Sequence, residues 1–186
     1  MPRKIMLIRH AEKPADDPPP HGVTIHGEHD AKALSVRGWT RAGALVTLFA
    51  PTNGQFQNSS LATPQVIYAM GTGSGSESLR PQQTINPLAD KLGKQARVNT
   101  DFLKGQEKEM IESALAVEGV ILICWEHERL AHAARHIPLS EKNQTPVPEE
   151  WDAERYDLIW VFDLDADGGY VFQIMPQLLL AGDAPA

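Results

Sequence analysis

The chain has 186 residues, which suits one compact domain and leaves too little length for two. The formal net charge is -7, and the chain contains no run of five like charges. We therefore expect neither a nucleic-acid partner nor a membrane-surface partner, because both favour a basic face. A single cysteine, Cys124, excludes an internal disulfide, and together with the absence of a signal-peptide pattern it favours a cytoplasmic protein.

The first part of the chain predicts two buried strands separated by a long connection and a helix. The segment KIMLI is a short, continuous apolar run, typical of a strand buried on both faces, and it leads directly into Arg9 and His10. Residues 11–34 form a connection rich in proline and histidine. Connections of this length inside a compact domain usually have a function or are mobile. Ser35 is the predicted N-cap of a helix with apolar residues at helical spacing, and QVIYAM predicts a second buried strand.

The rest of the chain alternates helices and strands and ends in a hairpin. A glycine-rich loop leads into a helix that begins near Arg80 and ends at Gly93, inside which Pro87 should cause a kink or a restart. The segments ARVNTDF and VILICWEH predict strands, whereas KEMIESALAVEG and ERLAHAARHI predict helices. After an irregular segment, YDLIWVFDLD and GGYVFQIM alternate around a Gly-Gly turn, which indicates an antiparallel hairpin.

This order of elements predicts an α/β fold. We expect a three-layer αβα architecture, with a mostly parallel sheet, helices on both faces and an antiparallel edge strand supplied by the C-terminal hairpin. We expect a single domain over residues 1–186, with insertions at about residues 11–34 and 138–155.

Four candidate site residues fall at one edge of that predicted sheet. Ligands of open parallel sheets bind beyond the carboxyl ends of the strands. The first strand delivers Arg9 and His10 to this edge, the strand VILICWEH delivers His127, and Arg80 opens a helix whose free backbone N–H groups favour an anion. Alone, each histidine is better explained as a structural residue than as a catalyst, and each arginine can be explained as a solvated end of an element. Together, two imidazoles and two guanidiniums predict a phosphate site.

Four segments also resemble a known family. LIRHAEKP resembles the RHG/RHA signature of the histidine phosphatase superfamily, which has the phosphoglycerate-mutase-like fold. The segments ALSVRGWTRAGAL, ESLRPQQTINPLADKLG and VILICWEHERLAHAA resemble the blocks that follow it, in the same order. The four blocks cover most of residues 4–137.

The resemblance implies a metal-independent phosphatase that hydrolyses a small phosphomonoester. His10 would be the nucleophile and would form a transient phosphohistidine. Arg9, Arg80 and His127 would hold the phosphoryl oxygens, and Lys13 would contribute to substrate binding. Neither a metal nor another cofactor is implied, because the cationic side chains supply the charge that a metal supplies elsewhere.

The proton donor to the leaving group is open among three carboxylates. The sequence favours Glu128, which adjoins His127 and opens a helix. Asp101 and Glu107 are the alternatives, because in one branch of the family the acid lies beyond the third strand. Glu128 is also explained simply as a first-turn charge that complements the helix dipole.

Two other functions are considered. One is a catalytically weak phosphate-binding or regulatory module with the same fold, and the less favoured one is a phosphomutase, because RHAEKP lacks the contacts that mutases use for a bisphosphate. The histidine-rich stretch HGVTIHGEHD, residues 21–30, could bind a transition metal, but its spacing matches no common zinc pattern, so the simpler interpretation is a lid over the pocket or no role at all. Specificity in such folds depends on the insertions, and no pattern there identifies a substrate or an oligomeric state.

Overall fold

The computed structural model describes residues 1–186, with six strands and four α-helices. In chain order these are β1 (Lys4–Arg9), α1 (Val36–Phe49), β2 (Val66–Ala69), α2 (Arg80–Leu92), β3 (Arg97–Asn99), α3 (Glu107–Leu115), β4 (Val120–Trp125), α4 (His127–Ala134), β5 (Leu158–Leu164) and β6 (Tyr170–Pro176). None of the helices has the length and apolar character needed to span a bilayer.

The six strands form one sheet in the order β3-β2-β4-β1-β5-β6. β1, β2, β3 and β4 are mutually parallel, whereas β5 runs antiparallel to β1 and β6 antiparallel to β5. The C-terminal hairpin therefore completes one edge of a mostly parallel sheet. This confirms the predicted α/β fold with an antiparallel edge.

Helices cover both faces of the sheet, which explains why the inner strands are continuous apolar runs. Along β1, Ile5 and Leu7 belong to the core beneath α3 and α4, and Met6 and Ile8 belong to the core beneath α1 and α2. All four side chains are fully buried. Ser35 caps α1 as predicted, because its side chain accepts a hydrogen bond from the Gly38 N–H over 3.1 Å.

The helix α2 runs unbroken through Pro87, so the expected restart at this residue is wrong. A proline in a helix interior removes one hydrogen bond and costs about 3 kcal/mol or more. Ile85 and Leu88, on either side of it, are buried in the core between α2 and the sheet. The burial of this helix face outweighs the local cost of the proline.

Candidate active site

The carboxyl ends of β1 and β4 lie side by side and bring His10 and His127 to one edge of the sheet. The two strands pair with Arg9 opposite Trp125, and the backbone N–H of His10 donates to the Trp125 carbonyl over 3.0 Å. β4 ends at Trp125, and α4 begins at His127 after the single extended residue Glu126. His127 is therefore the first residue of a helix, not the last residue of a strand as expected.

The His10 ring is buried and held in a defined orientation. Only 3% of the residue is exposed, and Nδ1 lies 2.7 Å from the carbonyl oxygen of Ala11. Burial is the main cause that lowers the pKa of His10 to about 3, and Arg80, Arg9 and His127 lower it further, although the bond to Ala11 acts in the opposite direction. The ring is therefore neutral at pH 7, with Nδ1 protonated and Nε2 free to act as a nucleophile.

The Arg9 guanidinium lies next to this ring and has no carboxylate bonded to it. The residue is 2% exposed, and its Nη1 donates to the carbonyl of Ala153. Its Cζ atom lies 3.7 Å from the ring centroid of Tyr156, and its Nε is buried without a hydrogen-bond partner. Burial lowers the pKa of Arg9, whereas Tyr156 and Glu154 act in the opposite direction. The guanidinium nonetheless stays protonated at neutral pH.

Arg80 is the first residue of α2, where the chain turns away from the carboxyl end of β2. Its Nη1 donates to the carbonyl of Ala31 over 3.2 Å, which ties the long connection of residues 11–34 to the site. Its Nε is buried without a partner. Burial lowers the pKa of Arg80, and Glu126, Tyr156 and Asp30 act in the opposite direction.

His127 and Lys13 complete the cationic side of the site. Nδ1 of His127 is buried without a partner. Burial and the charge of Arg9 lower the pKa of His127, with a smaller contribution of the same sign from Lys13. Lys13 forms an ion pair of 2.9 Å with Asp16, and its side chain is 42% exposed. Lys13 therefore lies at the mouth of the site, whereas the other cationic residues lie inside it.

The structure thus brings together the four residues that the sequence placed at this edge. Three of them have a buried nitrogen without any hydrogen-bond partner, namely Nε of Arg9, Nε of Arg80 and Nδ1 of His127. The charges of all three residues lower the pKa of His10. Buried polar atoms in folded proteins almost always have partners. Unpartnered guanidinium nitrogens beside a neutral imidazole are suited to bind an oxyanion.

Of the carboxylates named by the sequence, Glu128 lies on the solvent side of α4. Its side chain is 62% exposed, and its Oε2 lies 3.1 Å from Nζ of Lys104. The hydrogen bond and charge of Lys104 lower the pKa of Glu128. A lowered pKa keeps this carboxyl ionised, so at neutral pH it does not carry the proton that a donor must supply.

Glu107 is held in a structural network. Burial would raise the pKa of Glu107, but hydrogen bonds from Arg129, the Gly105 N–H and the Trp125 indole together lower it. The shortest of these bonds, from Nη2 of Arg129, measures 2.6 Å. This carboxylate fixes α3 to β4 and α4, and its acceptor sites are already used.

Asp101 is exposed in the connection between β3 and α3. Its Oδ2 accepts a hydrogen bond from Nδ2 of Asn99 over 3.2 Å, and its N–H donates to Oδ1 of the same asparagine. The two residues form a local turn network. No contact links Asp101 to the residues around His10.

Sequence reasoning missed Glu126, which directly precedes His127. Its side chain is 15% exposed, and its Oε2 lies 2.7 Å from Nζ of Lys104. Among the charged groups around Arg80 it has the largest effect on the pKa of that arginine, and it also acts on His127. The signal that favoured Glu128, adjacency to His127, applies equally to Glu126. Which of the two faces inward depends on the turn between β4 and α4.

A second group that the sequence did not indicate comes from the irregular segment before β5. Ala153 and Tyr156 both contact Arg9 from this segment, and the Tyr156 ring lies 6.2 Å from the His10 ring. The segment falls within or next to the insertion expected at residues 138–155. It has no periodicity that could predict which of its side chains reaches the site.

A pocket of about 460 Å³ adjoins His127 on the α4 side of the site. Its walls come from α4 and from residues 149–153, and Ala153 is shared between this pocket and the contacts of Arg9. The lining is mainly polar and includes Glu128, Arg135 and Glu149.

In the histidine-rich stretch, the rings of His21 and His29 are stacked, with centroids 4.2 Å apart. No group of three or more histidine, cysteine, aspartate or glutamate side chains in the structure is arranged to hold a metal ion. The indole of Trp39 donates to the Val23 carbonyl over 2.9 Å, which attaches this stretch to α1. Cys124 is fully buried within β4, and burial raises the pKa of its thiol.

A comparison with solved structures aligns the chain with the structure of the protein histidine phosphatase SixA complexed with tungstate. The alignment covers 94% of this chain and 97% of that chain, with a TM-score of 0.53 and 14% sequence identity. At this identity the likeness shows a shared fold, which is the kind of fold that the resemblance to the histidine phosphatase superfamily implies. No family model matches the sequence, and no curated protein matches it significantly.

Proposed function

We propose that the chain is a phosphatase that hydrolyses a small phosphomonoester through a phosphohistidine on His10, without a metal. The observation that carries this proposal is the neutral, buried His10 ring surrounded by unpartnered nitrogens of Arg9, Arg80 and His127. A nucleophilic imidazole must be unprotonated, and the transferred phosphoryl group needs charge stabilisation on its oxygens. The site supplies both from its own side chains.

The reaction has two steps. In the first step Nε2 of His10 attacks the phosphorus, the N–P bond forms, and the P–O bond to the leaving group breaks. Arg9, Arg80 and His127 hold the equatorial oxygens during this transfer. In the second step water attacks the phosphohistidine and gives a proton back to the carboxylate that protonated the leaving oxygen, the N–P bond breaks, and orthophosphate leaves while the neutral ring is restored.

We favour Glu126 over Glu128 as the group that protonates the leaving oxygen. Two observations support this choice: Glu126 is 15% exposed against 62% for Glu128, and Glu126, unlike Glu128, is among the charges that act on the pKa of Arg80. A proton donor has to lie within hydrogen-bond reach of the leaving oxygen, on the inner side of the site. Lys104 pairs with both carboxylates, at 2.7 Å for Glu126 and 3.1 Å for Glu128, so this ion pair does not distinguish them.

The test is hydrolysis of p-nitrophenyl phosphate in the presence of EDTA by the parent chain and by the variant His10→Gln. A glutamine can still donate to the Ala11 carbonyl, so the local fold is kept while the nucleophile is removed. We expect turnover by the parent and a loss of at least about a thousandfold in the variant. Equal turnover by both proteins would contradict the assignment of the nucleophile.

One observation favours a second candidate, a phosphate-binding module without efficient turnover. Of the carboxylates that the sequence named, Glu107 is fully engaged and Glu128 is paired with Lys104. Without a proton donor the anion site would still bind phosphate but would release alkyl leaving groups slowly. Phosphate binding without hydrolysis of any of several phosphomonoesters would support this alternative.

A further inference from the structure

Tyr156 covers the flat face of the Arg9 guanidinium. The distance from Cζ of Arg9 to the centroid of the phenol ring is 3.7 Å. The same ring lies 6.2 Å from the ring of His10, tilted by 55°. One aromatic side chain therefore contacts a principal cation of the site and borders its candidate nucleophile.

This contact orients Arg9 without using any of its donors. A guanidinium has five N–H groups, and in Arg9 only Nη1 has a hydrogen-bond partner, the Ala153 carbonyl. A π face attracts the cation but accepts no N–H in the guanidinium plane. A carboxylate in the same place would take two donors and neutralise the charge that an incoming anion needs. Stacking leaves Nε, which is buried and unpartnered, available to a ligand.

Tyr156 is itself held in place by its neighbours. Arg155 forms an ion pair of 2.7 Å with Asp157, and it donates to the carbonyl of Ala184 over 2.8 Å. The indole of Trp151 donates to the carbonyl of Arg155 over 2.9 Å. The residues on both sides of Tyr156 are thus bonded to the body of the protein. The Tyr156 carbonyl also accepts a hydrogen bond from Nε2 of Gln177 over 3.2 Å, so the backbone that carries the ring is held in place.

We propose that Tyr156 is a positioning residue of the anion site, which acts by stacking on Arg9 so that the free edge of the guanidinium stays available to the bound anion. The identification of that anion as a phosphoryl group rests on the proposed function. Stacking already restricts the Arg9 side chain, so less conformational entropy is lost when the anion binds. The affinity for the anion therefore rises without a new contact to the ligand. A desolvated cation–π contact corresponds to roughly a tenfold gain in affinity.

The experiment measures the binding of orthophosphate to the full chain by calorimetry, together with kcat and KM for p-nitrophenyl phosphate. The variants are Tyr156→Phe, which keeps the π face, and Tyr156→Leu, which removes it. Phe56→Leu is the matched control, because Phe56 is a half-buried aromatic in the connection between α1 and β2 that packs on the core beneath α1 and α2 and makes no aromatic or cation–π contact with Arg9 or His10. We expect Tyr156→Leu to weaken phosphate binding about tenfold, and Tyr156→Phe and the control to change it less than about twofold.

A double-mutant cycle separates positioning from a general loss of structure. In an Arg9→Met background, which has no cation to orient, Tyr156→Leu should not weaken phosphate binding further. Equal phosphate affinity of the parent and Tyr156→Leu would overturn the inference, and so would equal losses in Tyr156→Phe and Tyr156→Leu. If the parent binds phosphate but does not hydrolyse p-nitrophenyl phosphate, the proposed hydrolysis is refuted, whereas the role of Tyr156 in anion binding is not. No phosphate binding by the parent would remove both.

Discussion

Nδ1 of His10 lies 2.7 Å from the carbonyl oxygen of Ala11, the next residue in the chain. A carbonyl can only accept, so Nδ1 carries the proton of the neutral ring and Nε2 keeps its lone pair. The N–H of Ala11 donates to Oγ1 of Thr84 over 2.8 Å, and that hydroxyl donates to the Arg80 carbonyl over 2.7 Å. This chain of bonds connects the imidazole to α2. The fold itself thus selects the tautomer that a nucleophile requires.

The first prediction concerns stability against pH. The pKa of His10 is lowered to about 3, from 6.5 for an ordinary histidine. As the pH falls below about 6.5, the unfolded chain binds a proton that the folded chain does not, so stability decreases until about pH 3 is reached. Between about pH 6.5 and 5 the parent should lose about 2 kcal/mol more free energy of unfolding than His10→Gln, measured by urea denaturation without phosphate. Parallel pH profiles for the two proteins would show that the ring is not buried in its neutral form.

The second prediction concerns Arg80. Its replacement by methionine removes the guanidinium and keeps an apolar side chain of similar length. Hydrogen bonds to charged groups contribute about 1.5 to 3 kcal/mol, so phosphate should bind about ten- to a hundredfold more weakly, as measured by competitive inhibition. Arg97→Met is the control, because Arg97 is an exposed residue at the start of β3. A similar loss in both variants would indicate a general effect of net charge.

The third prediction distinguishes the two candidate proton donors. Glu126→Gln should slow the hydrolysis of an alkyl phosphate by about a hundredfold, because an alkoxide leaves poorly without a proton. It should slow p-nitrophenyl phosphate far less, since p-nitrophenolate leaves unprotonated. Glu128→Gln keeps the same change of charge next to His127 and should affect both substrates little. The opposite result for the two variants would assign the role to Glu128.

The fourth prediction concerns a buried ion network close to the site. Nη2 of Arg41 lies 2.8 Å from Oε1 of Glu12 and 2.7 Å from Oδ1 of Asp183, and the Arg41 side chain is 2% exposed. Arg41→Met would leave the buried Asp183 without its arginine and Glu12 with only the half-exposed Arg37 at 3.2 Å, so the free energy of unfolding should fall by about 3–5 kcal/mol. Thermal and urea denaturation measure this loss.

The matched control for this network is Lys108→Met. Lys108 forms an exposed pair with Glu112 at 3.8 Å on α3. Surface pairs of this kind contribute less than about 0.5 kcal/mol, so the control should denature almost as the parent does. A small effect of Arg41→Met, comparable to that of the control, would mean that Glu12 and Asp183 find other partners or become protonated.

The sequence predicts much of the fold because the inner strands are buried on both faces. β1 and β4 therefore appear as uninterrupted apolar runs, and the polar residues that follow them must lie at the carboxyl edge of the sheet. The predicted restart of the helix at Pro87 is wrong because the sequence shows only the low helix propensity of proline. Burial of the helix face against the sheet outweighs that propensity.

The sequence does not predict the contacts of Arg9 with residues 153 and 156. Arg9 and Ala153 are 144 residues apart, and the segment that carries Ala153 has neither helical nor strand periodicity. Its path over the site depends on the contact of Arg155 with Ala184 and of Trp151 with Trp160 of β5. The choice between Glu126 and Glu128 likewise depends on a turn geometry that adjacency to His127 does not determine.

The most direct test of the proposed mechanism is to quench the protein rapidly in alkali during incubation with p-nitrophenyl phosphate and to map the modified residue by mass spectrometry. The proposed mechanism predicts one phosphoryl group on the imidazole of His10, stable in alkali and lost in acid, and absent from His10→Gln. Turnover with no phosphorylated histidine, or with the phosphoryl group on a different residue, would contradict it.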